Sequence, residues 1–460
     1  PQLIRVADDT QLWSEQFDRE LADIFSVQSE IAEQVASQLD ITLLAPERKA
    51  LKAKPTQNLR AYDCYLKGVQ YEDQGWSYSS SAEFENALEM YEKAIDLDPQ
   101  FALAYASISN LYSRMYFFGT DRSAECMSKA WSAVSKALEL DPDNPGVQIA
   151  LAIYYYRFLL DYDRALEIFR SIQKSFPNIS PDFQGYIQRR QGKWEECLVT
   201  LEKAFKLDPR FSQLAYEIGG TSLSIRQYEK AEQWFDRALS LSPERLAPRL
   251  GKIAIPILRD GDTKKARDMA ETLPSHPLAD YMRITIAMLE RNYSEVLDRL
   301  AFLSYDSFQE QHFYFHKDLL YASVYQAKKD VALMITHAEK ARLAMEKAIQ
   351  DFPDDPRFHA ALGLAYAYLG LKAEAINEGN KAVNIYPVAK DAAQGPIYVL
   401  NLAKIYALVG EKEKAIGGLE YLLSIPAAEY LWQLVSIPLL RLDPQWDALR
   451  DQPKFERLIK

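Results

Sequence analysis

The most regular pattern of apolar, small and polar positions runs through residues 357–387. Its fixed positions are Gly363, Tyr366, Gly370, Ala375, Ala382 and Pro387. Gly363 allows two helices to approach closely, Tyr366 fills the space between them, and Gly370 can end the first helix with a positive φ. The two alanines are seven residues apart and share one face of a second helix. Because the final proline cannot continue that helix, the pattern predicts a helix–turn–helix unit of about 34 residues.

The same closing signal recurs along most of the chain. Prolines follow one another at intervals of 43, 35, 32, 34, 110 and 34 residues, at Pro99, Pro142, Pro177, Pro209, Pro243, Pro353 and Pro387. Six of them have an alanine five residues earlier, at Ala94, Ala137, Ala204, Ala238, Ala348 and Ala382. The longest interval has room for three divergent units, with turns at Gly261 and Asn292 and an overlong second helix before Pro353. Together with a first unit whose first helix ends near Gly75, the pattern predicts about ten units over residues 59–426.

This spacing resembles that of the tetratricopeptide repeat family. The resemblance implies an all-α fold, a right-handed α-α superhelix in which helix pairs stack on one another. In such an array each unit leaves its apolar face to its neighbours, and the first helices line a long groove. The function that the resemblance implies is protein–protein interaction, as a scaffold or sensory module.

Residues 1–43 carry a different pattern. Two short apolar segments predict a hairpin that places Trp13 and Phe17 on one side, and apolar spacing over residues 19–41 predicts an amphipathic helix. Residues 44–58 contain two prolines and several charged side chains, which indicates a linker or a charged helical connector.

Three short segments near the amino end resemble a junction known from bacterial multidomain signalling proteins. They are Leu-Trp-Ser-Glu-Gln-Phe-Asp-Arg-Glu at 12–20, Asp-Ile-Phe at 23–25 and Gln-Ser-Glu-Ile-Ala at 28–32. In that family the end of a TolB-like domain joins a repeat array to an upstream class III cyclase, serine/threonine kinase or winged-helix domain. The resemblance, with Pro1 in place of a methionine, implies a piece of a longer protein whose repeats regulate an absent effector. A ligand-responsive regulatory domain is the alternative that it implies. Both a cytoplasmic location and the periplasmic side of a membrane-anchored protein are compatible with it.

Residues 427–460 depart from the repeat pattern. Leu442-Asp443-Pro444, Trp446 and Phe455 resemble the segment that ends such arrays in the same signalling family. An array needs a cover for its last apolar face, so we expect this segment to be a cap.

Composition narrows the class of partner. No run of about 18 apolar residues is present, so the sequence predicts no membrane insertion by this chain. The net charge is −11 and no compact block of lysine and arginine offsets it, which disfavours nucleic acid as a partner. A protein or peptide is the partner that these properties favour.

The sequence shows no catalytic or cofactor site. Cys64, Cys126 and Cys197 are odd in number and far apart, so buried thiols are expected rather than disulfides or a metal site. His312 and His316 have metal-ligand spacing, but no third ligand accompanies them, and we predict neither a metal nor a cofactor. With no phosphate loop, nucleophile motif or carboxylate pair, no enzymatic activity is predicted for this chain. Fusion to a cyclase or kinase in a full-length protein is left open.

The family resemblance also implies which residues line the groove. Mapped onto three consecutive units, the groove positions are Asn110, Ser113, Arg114, Tyr154, Arg157, Phe158, Tyr186, Arg189 and Arg190. Arginines can bind carboxylates with two hydrogen bonds and tyrosines add rigid contact area, which favours an acidic peptide as the ligand. The alternative is that the arginines are solvated or pair with Asp161, Asp163 or Glu195. Ile153 replaces the usual small residue in the middle unit, and we expect it to alter helix packing there.

Overall fold

The computed structural model describes residues 1–5, 10–16, 24–39, 41–78, 81–118, 121–309, 314–426 and 435–460. These residues form two compact units, Pro1–Ser180 (unit 1) and Pro181–Lys460 (unit 2). In the described parts of both units, no helix is both long and apolar enough to cross a membrane.

Unit 1 starts with a hairpin and continues as helices. Its elements are β1 (Gln2–Arg5), β2 (Thr10–Ser14), α1 (Ile24–Gln38), α2 (Ala45–Lys52), α3 (Leu59–Tyr78), α4 (Ser81–Leu97), α5 (Ala102–Phe118), α6 (Ala124–Leu140), α7 (Pro145–Tyr154), a π-helical turn (Tyr155–Leu159) and α8 (Tyr162–Ser175). The strands pair antiparallel, with Leu3 opposite Trp13. Phe17, predicted beside Trp13, lies outside the described residues. The predicted helix over residues 19–41 is described as α1.

Unit 2 is a succession of helices with one small hairpin. Its elements are α9 (Asp182–Arg190), α10 (Trp194–Leu207), α11 (Ser212–Ser224), α12 (Tyr228–Leu241), α13 (Leu246–Asp260), α14 (Thr263–Ala270), α15 (Pro277–Leu289), α16 (Tyr293–Phe302), β3 (Ser307–Gln309), β4 (Tyr314–His316), α17 (Lys317–Ala327), α18 (Val331–Asp351), α19 (Pro356–Tyr368), α20 (Lys372–Ile385), α21 (Gly395–Leu408), α22 (Lys412–Ser424), α23 (Ile437–Leu442), a 3₁₀ helix (Pro444–Leu449) and α24 (Pro453–Ile459).

The helices from α3 to α22 form ten consecutive pairs, which confirms the predicted all-α repeat solenoid. The small residues act as expected. A Cβ on Gly363 would lie 2.7 Å from Ile405 Cδ1 and 3.0 Å from the carbonyl oxygen of Ala375, so only glycine fits. Gly370 has a φ of 76° and joins α19 to α20. Five of the six predicted alanines have no exposed surface: Ala94, Ala137, Ala204, Ala238 and Ala382.

Three local features differ from the sequence pattern. Gly75 lies inside α3 and does not end it, because a helix tolerates one glycine at a cost of about 1 kcal/mol. The hairpin β3–β4 interrupts the divergent region and was not predicted; Phe308 pairs with Phe315 across it. After Ile153, α7 gives way to the π-helical turn, a form that the sequence did not predict.

The carboxyl-terminal segment packs on the neighbouring helices α21 and α22, and both it and the end of α22 contact repeats that are distant in sequence. Trp446 and Phe455 lie in one core cluster with residues of α21 and α22. Arg291, at the turn between α15 and α16, donates two hydrogen bonds of 2.6 and 2.7 Å to the Asp447 carboxylate. Arg226, at the turn between α11 and α12, donates to the carbonyl oxygens of Leu422 and Ile425. Both arginines have a positive φ, 62° for Arg226 and 59° for Arg291.

Candidate binding groove

Buried polar side chains are distributed unevenly between the two helices of each pair. First helices carry many of them: Ser109, Ser113, Arg157, Gln184, Gln188, Arg189, Arg190, Gln213, Thr221, Ser323, Arg357 and His359. Among the described second helices, Glu378 is the one buried polar residue. Second helices otherwise bury alanine and large apolar side chains. The first helices therefore form the polar surface on which a ligand could be recognised.

In unit 1 the predicted groove residues come together around Arg157. Its Nη1 donates a 3.1 Å hydrogen bond to Ser113 Oγ, and its guanidinium carbon lies 4.7 Å from the Phe117 ring centre. Arg114 Nε lies 3.0 Å from the Glu72 carboxylate. Asn110 lies on the same helix, α5, and is half-buried. This region combines two guanidinium groups, an amide and aromatic faces.

The aromatic residues of this region are mostly packed inside the fold. Tyr154 is 6% exposed and its ring centre lies 5.0 Å from those of both Trp131 and Phe158. Phe158 is 8% exposed and packs against Tyr116 at 4.6 Å. These two predicted contact residues are therefore part of the core. Burial raises the pKa of Tyr154.

In unit 2 the predicted arginines are held by carboxylates of the same unit. Arg189 is 3% exposed; its Nη2 donates to Glu217 Oε2 at 2.9 Å and its Nη1 to Thr221 Oγ1 at 3.0 Å. The Arg189 guanidinium carbon also lies 5.7 Å from the ring centre of half-buried Tyr186.

Arg190 is fixed in a second buried pair. It is 3% exposed, and its Nη1 lies 3.4 Å from the carboxylate of Asp391, which has no exposed surface. The Asp391 carboxylate also accepts hydrogen bonds from the backbone N–H groups of Ala393 and Gln394. The Ala392 N–H donates to the Arg190 carbonyl oxygen at 2.8 Å.

In unit 2, Glu217 pairs with Arg189 and Asp391 pairs with Arg190; neither acid was among the alternative partners considered from the sequence, Asp161, Asp163 and Glu195. Asp391 is 201 residues from Arg190, so local spacing could not have indicated it. The structure also divides the predicted set: Asn110 to Phe158 belong to unit 1, and Tyr186 to Arg190 belong to unit 2.

Unit 2 contains a cavity of about 100 Å³ that the sequence did not indicate. It lies among the first helices α15, α17, α19 and α21, with β4 and the 3₁₀ helix beside it. Its polar lining includes Tyr281, Tyr314, His316, Gln326, Arg357, Tyr368, Tyr398, Asn401, Lys404 and Gln445. Burial raises the pKa of Tyr281, Tyr314 and Tyr368 to about 12 each, so these hydroxyls stay protonated.

Two residues of this lining have explained roles. Arg357 pairs with buried Asp355, with Nη2 2.7 Å from Oδ2. His316 Nδ1 accepts a hydrogen bond from the Asp318 N–H and so begins α17. Burial lowers the pKa of His316, which favours the neutral ring. His312, its candidate metal partner, lies outside the described residues. In the described parts of the chain, no group of three or more histidine, cysteine, aspartate or glutamate residues could hold a metal ion.

The comparisons with known families agree with this architecture. Models described as tetratricopeptide repeat match residues 71–101, 148–178, 184–245 and 336–396. The segments that these models match have the pattern of tetratricopeptide repeats. Such repeats bind proteins or peptides and are typically not catalytic, so the chain is built as a protein-interaction scaffold.

One curated relative is "Putative adenylate cyclase 3" of Rhizobium meliloti, 29% identical over 168 residues. The match covers 36% of this chain and 28% of the relative, so the chain spans well under two thirds of that protein.

Three solved structures that match this chain have low sequence identity to it. PilF of Pseudomonas aeruginosa is 18% identical with a TM-score of 0.33, covering 43% of this chain and 90% of its own. A human IFIT1 dimer with PPP-AAAA is 16% identical with a TM-score of 0.40, covering 79% and 78%. The Cut9–Hcn1 hetero-tetramer is 15% identical with a TM-score of 0.33, covering 93% and 84%.

Proposed function

We propose that this repeat array binds a segment of a partner protein on its first helices and thereby regulates an effector domain. The observation that carries the proposal is the concentration of buried polar side chains on first helices. Purely structural helices bury apolar groups, because each buried polar group costs free energy unless it is hydrogen-bonded. Buried polar side chains on first helices of both units support recognition of a ligand there.

We further propose that the partner segment is acidic and that unit 1 supplies the cationic contact. Arg114 is the suitable residue because its side chain is 28% exposed and pairs with Glu72, a carboxylate that an incoming one could replace. Arg157, Tyr154 and Phe158 would shape the surface behind it. We propose that Tyr186, Arg189 and Arg190 position neighbouring residues rather than bind the partner's charge. The charges of the two arginines are already compensated inside unit 2.

The test is a fluorescence-anisotropy titration of the chain with labelled dodecapeptides rich in aspartate and glutamate, beside their asparagine and glutamine counterparts. We expect acidic peptides to bind more tightly, and their affinity to fall as salt rises, because exposed charges are screened over about 8–10 Å. Arg114→Gln should weaken acidic-peptide binding several-fold, and Arg60→Gln, an exposed change at the start of α3, should not. Equal binding of acidic and amide peptides would contradict the acidic partner.

The regulatory part of the proposal rests on the resemblance of residues 12–32 to the signalling junction and on the match to the cyclase relative. We propose residues 1–43 as the end of a TolB-like domain, 44–58 as a connector, 59–426 as the regulatory array and 427–460 as its cap, in the cytoplasm. In a protein that carries this chain with a cyclase or kinase domain, deletion of the array should change effector activity at equal effector expression. Unchanged activity would leave the scaffold role without regulation.

A further inference from the structure

The cavity of unit 2 contains a cation that forms no ion pair within the described residues. Lys404, on α21, lines the cavity and retains partial exposure. Within the described residues, the Lys404 ammonium makes neither a hydrogen bond nor an ion pair. The carboxylate that influences it is Asp443, which favours the charged form but lies beyond ion-pair distance. Burial lowers the pKa of Lys404, so the protein holds this charge at a cost.

Two side-chain amides that line the same cavity also lack hydrogen-bond partners among the described residues. The side chains of Asn401, one turn before Lys404 on α21, and Gln445, at the start of the 3₁₀ helix, also line the cavity. In the part of the chain that the structure describes, neither side-chain amide makes a hydrogen bond. Each amide offers two N–H donors, and the ammonium offers three. Three side chains from two elements therefore bring N–H donors that have no hydrogen-bond partner to one cavity.

We propose that this cavity binds a small organic or inorganic anion whose carboxylate or phosphate oxygens accept hydrogen bonds from Lys404, Asn401 and Gln445. A carboxylate or phosphate supplies the acceptors and the negative charge that this donor set lacks. The cations nearby do not compete with Lys404, because Arg357 is already paired with Asp355 and burial favours the neutral form of His316.

The size of the cavity separates this site from the surface proposed for a partner protein. About 100 Å³ is room for a group of a few heavy atoms. Gln445 belongs to the carboxyl-terminal segment and Asn401 and Lys404 to the repeat array, so one ligand would contact both. Through Asp447, two residues after Gln445, the same 3₁₀ helix is bound to Arg291. The anion would therefore stabilise the packing of the carboxyl-terminal segment and give the array a response to a small molecule.

The experiment measures the melting temperature of the whole chain in titrations of succinate and of inorganic phosphate, with sodium chloride at matched ionic strength. We expect a saturable rise with at least one of the two probes, and the probe that acts distinguishes a carboxylate ligand from a phosphate ligand. In Lys404→Met the same rise should require at least tenfold more probe. Lys340→Met, an exposed lysine of α18, is the matched control and should respond as the unaltered chain does.

Two further variants separate loss of the binding site from a general effect of substitution on stability. Lys404→Arg keeps the positive charge and should retain part of the response, and Asn401→Ala should weaken it. The proposal would be overturned if neither probe gave a saturable response beyond that of sodium chloride, or if Lys404→Met responded like the unaltered chain. Because the peptide titration uses Arg114 of unit 1, failure of either proposal leaves the other standing.

Discussion

Arg190 and Lys404 both lie on first helices of unit 2, but the protein treats their charges in opposite ways. The guanidinium of Arg190 is 3% exposed and faces Asp391, whose carboxylate is further fixed by two backbone N–H groups. The ammonium of Lys404 lines an open cavity without a partner among the described residues. The protein itself compensates the charge of Arg190, whereas the charge of Lys404 is available to an external ligand.

The difference shows how to separate structural from functional charges in a repeat array. A buried ion pair with complete hydrogen bonding is expensive to break and contributes little to recognition, because its partner is already chosen. A partly buried cation without a partner lowers stability, and stability is commonly lower at sites that serve a function. The predictions that follow test this contrast, in order of decreasing effect.

Asp391→Ala should have the largest effect, a loss of about 3–5 kcal/mol in the free energy of unfolding, since it removes the buried carboxylate that faces the buried Arg190 guanidinium. It also removes the acceptor for the N–H groups of Ala393 and Gln394. Chemical denaturation monitored by circular dichroism measures the loss. The double change Arg190→Met with Asp391→Asn should recover part of it; a single variant as stable as the parent would show that the pair is not structural.

Arg189→Met should cost less, about 1–3 kcal/mol, because one of its partners keeps some access to water and the other has a second hydrogen bond. Glu217 is 14% exposed in its side chain, and Thr221 also donates to the backbone of its own helix. The same denaturation assay applies. A charge reversal of Arg189 and Arg190 together should therefore reduce the folded population itself, and loss of peptide binding by that variant would report on folding. If it melts like the parent, the groove role of these arginines returns.

Lys404→Met should act in the opposite direction and stabilise the protein by about 0.5–2 kcal/mol in the absence of anions. The physical reason is that burial disfavours the charged amine, as the lowered pKa of Lys404 shows. A calorimetric melting curve in a buffer without carboxylate or phosphate measures it. A variant that is less stable than the parent would mean that the ammonium has a structural partner, and the contrast with Arg190 would disappear.

The smallest effect concerns a half-buried network, Glu295 with Arg267 and Arg299. Hydrogen bonds from Arg267 and then Arg299 lower the pKa of Glu295 below its ordinary value of 4.5, against the opposing effect of burial. A carboxylate with a lowered folded-state pKa contributes stability above its unfolded pKa and loses it as pH falls through the folded pKa. We expect Glu295→Gln to lower the stability above about pH 4.5 by a small, constant amount and to flatten the stability profile below that pH, because the variant lacks the carboxylate that titrates there. A profile identical to the parent would show that solvent screens this network completely.

The repeat pattern could be predicted because it depends on the spacing of residues that are close in sequence. Gly363, Gly370 and Ala382 are small for reasons that act within one repeat or between neighbouring repeats, and the structure places each where that spacing indicates. The candidate sites could not be predicted in the same way. Arg190 and Asp391 meet across 201 residues, and Lys404 is distinguished by what does not surround it. The π-helical turn after Ile153 is intermediate: the sequence indicated an irregularity but not its form.

The contacts made by Arg226 and Arg291 change what kind of folding unit this array can be. In an open array each repeat interacts only with its neighbours, so unfolding can begin at either end and spread one repeat at a time. These two turns instead bind groups 199 and 156 residues further along the chain. Such contacts close long loops, so they form late in folding and join distant repeats into one cooperative transition. Fraying at the carboxyl end of unit 2 is thereby coupled to the repeats around α11 to α16, which a linear chain of repeats would leave undisturbed.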